Sequence, residues 1–304
     1  MSDPQLGQLL AILSTFGFAT GSVFVSKGAS GKGDRGVLFS VLVTMIFSCS
    51  VWLLMEKEVL AINSGAVWWQ GIAWFVLAGL LAMVFGRTLV FASIRQLGVT
   101  RSSAVKRLNP FFSVLLAYIF LAEPVTAWDG VGMFAIAAAF GLLLSKSSVA
   151  GQIGLPDLKL TPASYISGVT AALAYAFANI ARKQGLIDIN APAFGTMISA
   201  ISGFVFFIIA AVFVKGHRDN LRNIFTNLNR WLFLAAIFVS VAQILLFAAL
   251  YYEKVSTVVM INSLEIFLAS FLSVVVFRTE RRPDAGTYIA ALLATGGVIA
   301  VAAG

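Results

Sequence analysis

The residues best suited to chemistry in this chain are charged groups stranded in apolar surroundings. Glu265 lies near the middle of the apolar run 255–277. At mid-bilayer depth a charge costs about 2.5–3.5 kcal/mol to insert, so it must face a cavity, meet a cation or take up a proton. Helical spacing puts Asn262, Glu265 and Ala269 on one stripe. A carboxylate in that position can bind an ammonium group or carry a proton between two states. The competing reading is a structural pair or a neutral hydrogen-bonded acid. A basic cluster forms the second group. Arg87 lies near the end of one apolar run, and Lys106 and Arg107 lie near the start of the next. The loop between them carries Arg95 and Arg101. Such a vestibule attracts carboxylates or phosphates. For Arg95, Arg101 and Arg107 the preferred reading is snorkelling, in which long side chains reach lipid headgroups; Arg87 and Lys106 fit either role. Lys106 shares a helical face with Asn109, Pro110 and Ser113, and the proline removes one backbone donor there.

A third set repeats with four-residue spacing. Ser14, Phe18 and Ser22 match Ala171, Tyr175 and Asn179 one half-chain later, and Gln243, Phe247 and Tyr251 form a similar stripe. Tyr175, Asn179, Gln243 and Tyr251 are expected to contact solute, as few polar groups among apolar walls suit an amphipathic metabolite. The two serines read as helix-packing residues. His217, in a polar loop, reads as solvated. Trp68, Trp69 and Trp231 begin apolar runs and read as interfacial anchors.

The elements that must position these groups are membrane helices. The composition is 60% hydrophobic and 11% charged, with a mean hydropathy of +0.94, whereas soluble domains carry about 25% charged residues. The net charge of +8 is spread through short gaps between apolar runs, which argues for membrane topology and against a nucleic-acid surface. The single cysteine, Cys49, allows no internal disulfide. Ten runs approach the ~20 residues a bilayer requires: 5–26, 36–55, 68–93, 99–121, 127–145, 162–182, 192–214, 231–252, 255–277 and 284–303. The N-terminus lacks the basic start of a signal peptide, so the first run is expected to be retained.

The chain repeats with an offset of 156 to 157: Gly130 falls on Gly286, Gly141 on Gly297, Arg87 on Gln243 and Phe18 on Tyr175. Residues 1–150 and 157–304 are the two expected repeats. Five helices is an odd number, so the halves are inverted in the membrane, an arrangement that suits a transporter with a midplane site. The expected fold is therefore all-α and integral to the membrane, with ten transmembrane helices in two inverted five-helix repeats around a central cavity.

Residues 98–144, with Pro110, Glu123 and Gly130, resemble the repeat of the drug/metabolite transporter superfamily, EamA branch. Residues 254–301 keep Glu280 and Gly286 and depart at the proline, where Ile266 stands. The resemblance implies a cavity lined mainly by helices 1, 3, 4, 6, 8 and 9, and transport of amino acids or other small metabolites. It also implies that both termini are cytoplasmic. The charge count implies the opposite: fourteen Lys and Arg residues follow odd-numbered runs, against Lys57, Arg182, Lys183 and Lys254 on the other side.

The expectation is a secondary transporter for an amino acid or small organic anion or zwitterion, open to proton coupling through Glu265, in a bacterial cytoplasmic membrane. A flippase for a lipid or lipid-linked head group is the alternative. Glu123 and Glu280 are expected to have structural or loop roles. No nucleophile–base pair supports an intramembrane enzyme, and no phosphate-loop or Cys/His spacing calls for a cofactor or metal. The expected partners are a small solute and the lipid bilayer, with the chain a monomer or homodimer.

Overall fold

The computed structural model describes residues 3–28, 37–58, 65–90, 92–93, 105–150, 162–226, 228–276 and 285–303. Ten membrane helices occur among them: α1 (Asp3–Gly28), α2 (Val37–Glu56), α3 (Ala66–Val90), α4 (Asn109–Leu121), α5 (Ala127–Ala150), α6 (Pro162–Asp188), α7 (Pro192–Phe213), α8 (Arg230–Tyr252), α9 (Val255–Val275) and α10 (Ala285–Ala303). Seven of these are long and apolar enough to cross a bilayer; α4 and α5 add shorter apolar stretches, and α6 carries charges within its 27 residues. A short helix, Lys215–Arg222, follows α7. It places His217 half-buried against Phe207, with ring centroids 5.6 Å apart, rather than in a solvated loop.

The outside of the bundle is apolar. Leu54, Phe134, Phe213 and Leu292 are each more than 70% exposed, a pattern that needs lipid as solvent. Trp69 is also exposed at the start of α3, as an interfacial anchor should be. Trp68 instead turns inward and stacks on Phe194 at 5.3 Å.

The two repeats pack into each other symmetrically. α1 lies along α8, and its counterpart α6 lies along α3; α2 meets α7 and α8, and α7 meets α3; α5 and α10 pair. Glycines allow the close approach. A Cβ on Gly21 would stand 2.6 Å from the Val239 side chain across the α1–α8 contact, and one on Gly185 would stand 2.5 Å from the Phe75 ring across α6–α3. Asn229 starts α8: its Oδ1 accepts from the Trp231 and Leu232 amides at 3.0 Å, while its Nδ2 donates to the Gly28 carbonyl at the end of α1. This ties the α1–α8 pair at both a cap and a helix terminus.

A break precedes α4 and another interrupts α9. Residues 107–108 and 263–264 leave the helical pattern at repeat-equivalent positions. Leu108 donates to Val105 O (3.0 Å), and Leu264 donates to Ile261 O (3.1 Å). The helices restart at Asn109 and Glu265.

The main core sits at the end carrying the α4–α5, α6–α7 and α8–α9 loops. Val255–Ile261 is buried throughout, whereas Leu264–Ser270 is only half-buried. Glutamates stitch this end. Glu56 accepts from the Ala193 and Phe194 amides that begin α7 (3.0–3.1 Å). Glu123 accepts from the Val255 and Ser256 amides that begin α9 (2.9 and 3.4 Å). These are helix N-termini with unmet donors, where a carboxylate is favourable. Ala122, the one non-glycine residue at positive φ (52°) among the described residues, turns the chain so that Glu123 reaches α9. Lys183 donates to the Leu250 and Glu253 carbonyls at the end of α8. The expected structural role of Glu123 thus has a specific form. Glu280, Arg95 and Arg101 lie outside the described residues.

Candidate functional site

The cavity of about 310 Å³ lies between the repeats, beside the helix breaks, and is lined from α1, α3, α4, α6, α8 and α9. Phe18 and Ser22 come from α1, and Arg87 comes from α3 just past a wider π-type turn over Leu80–Gly86. Lys106, Arg107, Asn109 and Pro110 come from the α4 break, while Asn262, Ser263 and Glu265 come from the α9 break. α6 supplies Tyr175, Asn179 and Arg182, and α8 supplies Gln243. A tight turn that opens the backbone on one side of a helix is what places long side chains from both sides of each break in one space.

Of the residues singled out by type and spacing, Glu265, Arg87, Lys106, Asn109, Tyr175, Asn179, Gln243 and Asn262 line this cavity. Tyr251 does not. It packs on Tyr252 at the end of α8, with ring centroids 4.7 Å apart. Eight residues beyond Gln243 it stands about 12 Å further along the axis, and four-residue steps have drifted around the helix by then. Ser22 corrects a second expectation: its Oγ donates to Glu265 Oε1 at 3.0 Å in the cavity. Ser14 keeps the packing role, donating to the Ala242 carbonyl at 2.8 Å.

The structure places two cations differently from the sequence reading. Arg107 faces the cavity, not the headgroups, with its guanidinium 5.6 Å from the Phe140 ring centroid. The break after Lys106 resets the helical phase, so a continuous wheel misplaces it. Arg182 reads from hydropathy as a loop charge, yet α6 continues to Asp188 and buries it to 5% exposure. Its position is legible in the spacing: Tyr175, Asn179 and Arg182 stand at i, i+4 and i+7, one helix face.

The cavity's polar groups form two connected sets. In one, Arg182 Nη1 donates to Asn179 Oδ1 (2.8 Å), Asn179 Nδ2 donates to Ser113 Oγ (3.3 Å), and Ser113 Oγ donates to Asn109 Oδ1 (3.1 Å). This chain runs from the second repeat to the first. In the other, Thr15 donates to Asn262 Oδ1 (2.7 Å) and Ser22 donates to Glu265, holding the α9 break against α1. Aromatic faces support two further cations besides Arg107: Lys106 Nζ lies 5.3 Å from the Tyr175 ring centroid and Arg182 lies 5.3 Å from that of Phe247. Glu265 is the carboxylate that interacts electrostatically with Arg107. Among the described residues, the lining thus holds four cations (Arg87, Lys106, Arg107, Arg182) and one carboxylate. Among the described residues no group of three His, Cys, Asp or Glu side chains could hold a metal ion.

The model of the EamA-like transporter family matches residues 5–145 and again residues 163–303. The chain belongs to the EamA-like transporter family. The two matches fall one on each half, as the repeated helix order requires. The protein is therefore an integral membrane protein of a family that transports small molecules. A solved crystal structure resembles it at a TM-score of 0.67 and 16% identity, covering 97% of this chain and 96% of that one; this is a likeness of fold. No curated protein matches the chain.

Proposed function

We propose that this EamA-family member is a secondary transporter that moves a small organic anion or zwitterion by alternating access across a bacterial cytoplasmic membrane. The observation that carries the reading is the central cavity at two interrupted helices, with cations and one carboxylate drawn from both repeats. Interrupted helices around a midplane site are how transporters expose polar groups and backbone without facing lipid. Arg87 and Lys106 receive the carboxylate or phosphate of the solute. Asn109, Asn179, Gln243 and Asn262 orient it, and Tyr175 packs against its apolar part. Glu265 binds an ammonium group or carries a proton.

The two ends of the bundle support the cycle. One end is packed and stitched by Glu56, Glu123 and Lys183. Release on that side requires α9 to part from α4 and α6 there, while the cavity closes on the other. Uptake by proteoliposomes tests the reading. Solute-dependent counterflow is expected, and Glu265→Gln should alter its pH dependence. Translocation of labelled lipid with no soluble solute moved would instead establish a flippase. Normal transport by Glu265→Gln with an unchanged pH profile would remove the proton-carrier role.

A further inference from the structure

Resting on that reading, we infer that the transported solute is a small organic dianion, a phosphate monoester or a dicarboxylate, rather than a zwitterion. The cavity's charges do not balance. Glu265 is engaged by Ser22 Oγ and faces Arg107 electrostatically, which leaves Arg87, Lys106 and Arg182 without a carboxylate among the lining residues.

These three cations are placed as receivers. Arg182 is 5% exposed, and its Nη1 is engaged by Asn179, but its Nε has no hydrogen-bond partner. Arg87 Nη1 is likewise buried and unpartnered. Buried donors of a charged group are ordinarily satisfied, and leaving them open is costly. Lys106 rests on the Tyr175 ring, which leaves its charge uncancelled. The arginines come from different repeats, α3 and α6, so an anion between them would be held from both moving halves. Planar guanidinium forks suit carboxylate and phosphate oxygens.

A zwitterion adds no net charge and offers an ammonium group whose one acidic partner, Glu265, already faces Arg107. The net of three positive charges would persist among buried and partly buried groups, which is unfavourable. A monoanion leaves two. A dianion leaves one and can occupy both arginine forks. The volume, near the lower end of about 300–1,000 Å³ for ligand pockets, limits the solute to a short carbon chain. Phe18, Met83, Val239 and Leu246 supply apolar walls for that chain.

The test uses the purified full chain in neutral-lipid nanodiscs and in proteoliposomes. Glycerol 3-phosphate, succinate, lactate and alanine are compared for thermal stabilisation and counterflow, with phosphatidic acid added as a lipid source of phosphate. Stabilisation and counterflow with glycerol 3-phosphate or succinate, and neither with alanine, are expected; the two dianions compared directly name the head group. Arg182→Gln and Arg87→Gln should each weaken dianion binding at least about tenfold. If Arg182→Gln does not fold, the half-buried Arg87 carries the measurement, with Arg87→Lys expected to restore part of the affinity. Counterflow with alanine or lactate and neither dianion would overturn the inference and leave transport intact. Stabilisation by phosphatidic acid alone, with no solute moved, would overturn both. Unchanged dianion affinity in folded Arg87→Gln would overturn the assignment.

Discussion

The fourth helix of each repeat is broken at the same place, and the two breaks carry different chemistry. Leu108 and Leu264 have nearly the same backbone angles, φ −70°, ψ −14° and φ −70°, ψ −10°. Around them, Lys106, Arg107 and Asn109 of the first repeat stand where Asn262, Ser263 and Glu265 stand in the second. Arg87 faces Gln243 in the same correspondence. The backbone is symmetric, as the proposed exchange of roles between the halves requires, while the side chains are not. The first repeat presents two cations and an amide at the break, and the second presents an amide, a hydroxyl and an acid. In the proposed cycle the symmetry serves the motion, and the asymmetry serves the solute.

Erasing the difference should have the largest effect. Arg87→Gln combined with Lys106→Asn gives the first repeat the side chains of the second at these positions. Each charge-assisted contact is worth about 1.5–3 kcal/mol, so the pair should weaken anion binding by more than about a hundredfold. Counterflow rate against solute concentration measures it. The reverse change, Glu265→Asn, gives the second repeat the residue of the first. It removes the acid opposite Arg107, so anion binding should hold or tighten while thermal stability falls by about 1–3 kcal/mol. A large loss of anion affinity in Glu265→Asn would mean that the two breaks do not divide the charge as described.

What the sequence made legible follows the same division. The helices and their division into two inverted repeats follow from hydropathy and an odd helix count, because lipid forces nearly every backbone donor into a helix; the six that line the cavity were implied by the family resemblance. Glu265 and Lys106 stood out because charge in an apolar run is costly. Arg182 did not, since it falls near the end of a run and hydropathy stops there, although Asn179 and Tyr175, one and two turns earlier, already pointed along its face. Arg107 was misread for a different reason: the break at 107–108 resets helical phase. The matching break at 263–264 has no proline to mark it. Ser22 was hidden because one serine spacing serves both packing and hydrogen bonding, and only the neighbouring helix decides between them.

That missing proline gives a smaller prediction. The first break has Pro110, which cannot donate to the Lys106 carbonyl. The second has Ile266 at the matching position, and there Ser263 Oγ donates back to the Met260 carbonyl at 2.6 Å, a bond that competes with helix continuation. Two local devices produce one geometry. Pro110→Ala should change stability by less than about 1 kcal/mol, because proline at the start of a restarted helix carries little penalty. Ser263→Ala should cost about 1 kcal/mol and slow counterflow. Thermal denaturation of both variants tests this. A loss from Pro110→Ala greater than that from Ser263→Ala would show that the two devices do not carry equivalent weight.

The smallest expected effect lies where the two helices touch. Glu123, just beyond α4, grips the first amides of α9. Burial pushes its carboxyl above the ordinary carboxylate range, and the Val255 and Ser256 amides with Lys183 and Lys254 pull it back only in part. A raised value means the folded protein holds this proton more tightly than the unfolded chain does. The stability it contributes is therefore fully present below the ordinary value of 4.5 and is lost as pH rises through the folded value. Glu123→Gln, which cannot ionise, should remove that slope, so the melting temperature of the parent should fall relative to the variant as pH rises from 4.5. A difference that grows in the opposite sense would show that the amides, not burial, dominate at Glu123. The contact would then be a charge lock on the packed end, and opening α9 away from α4 would be opposed most strongly at neutral pH instead of eased there.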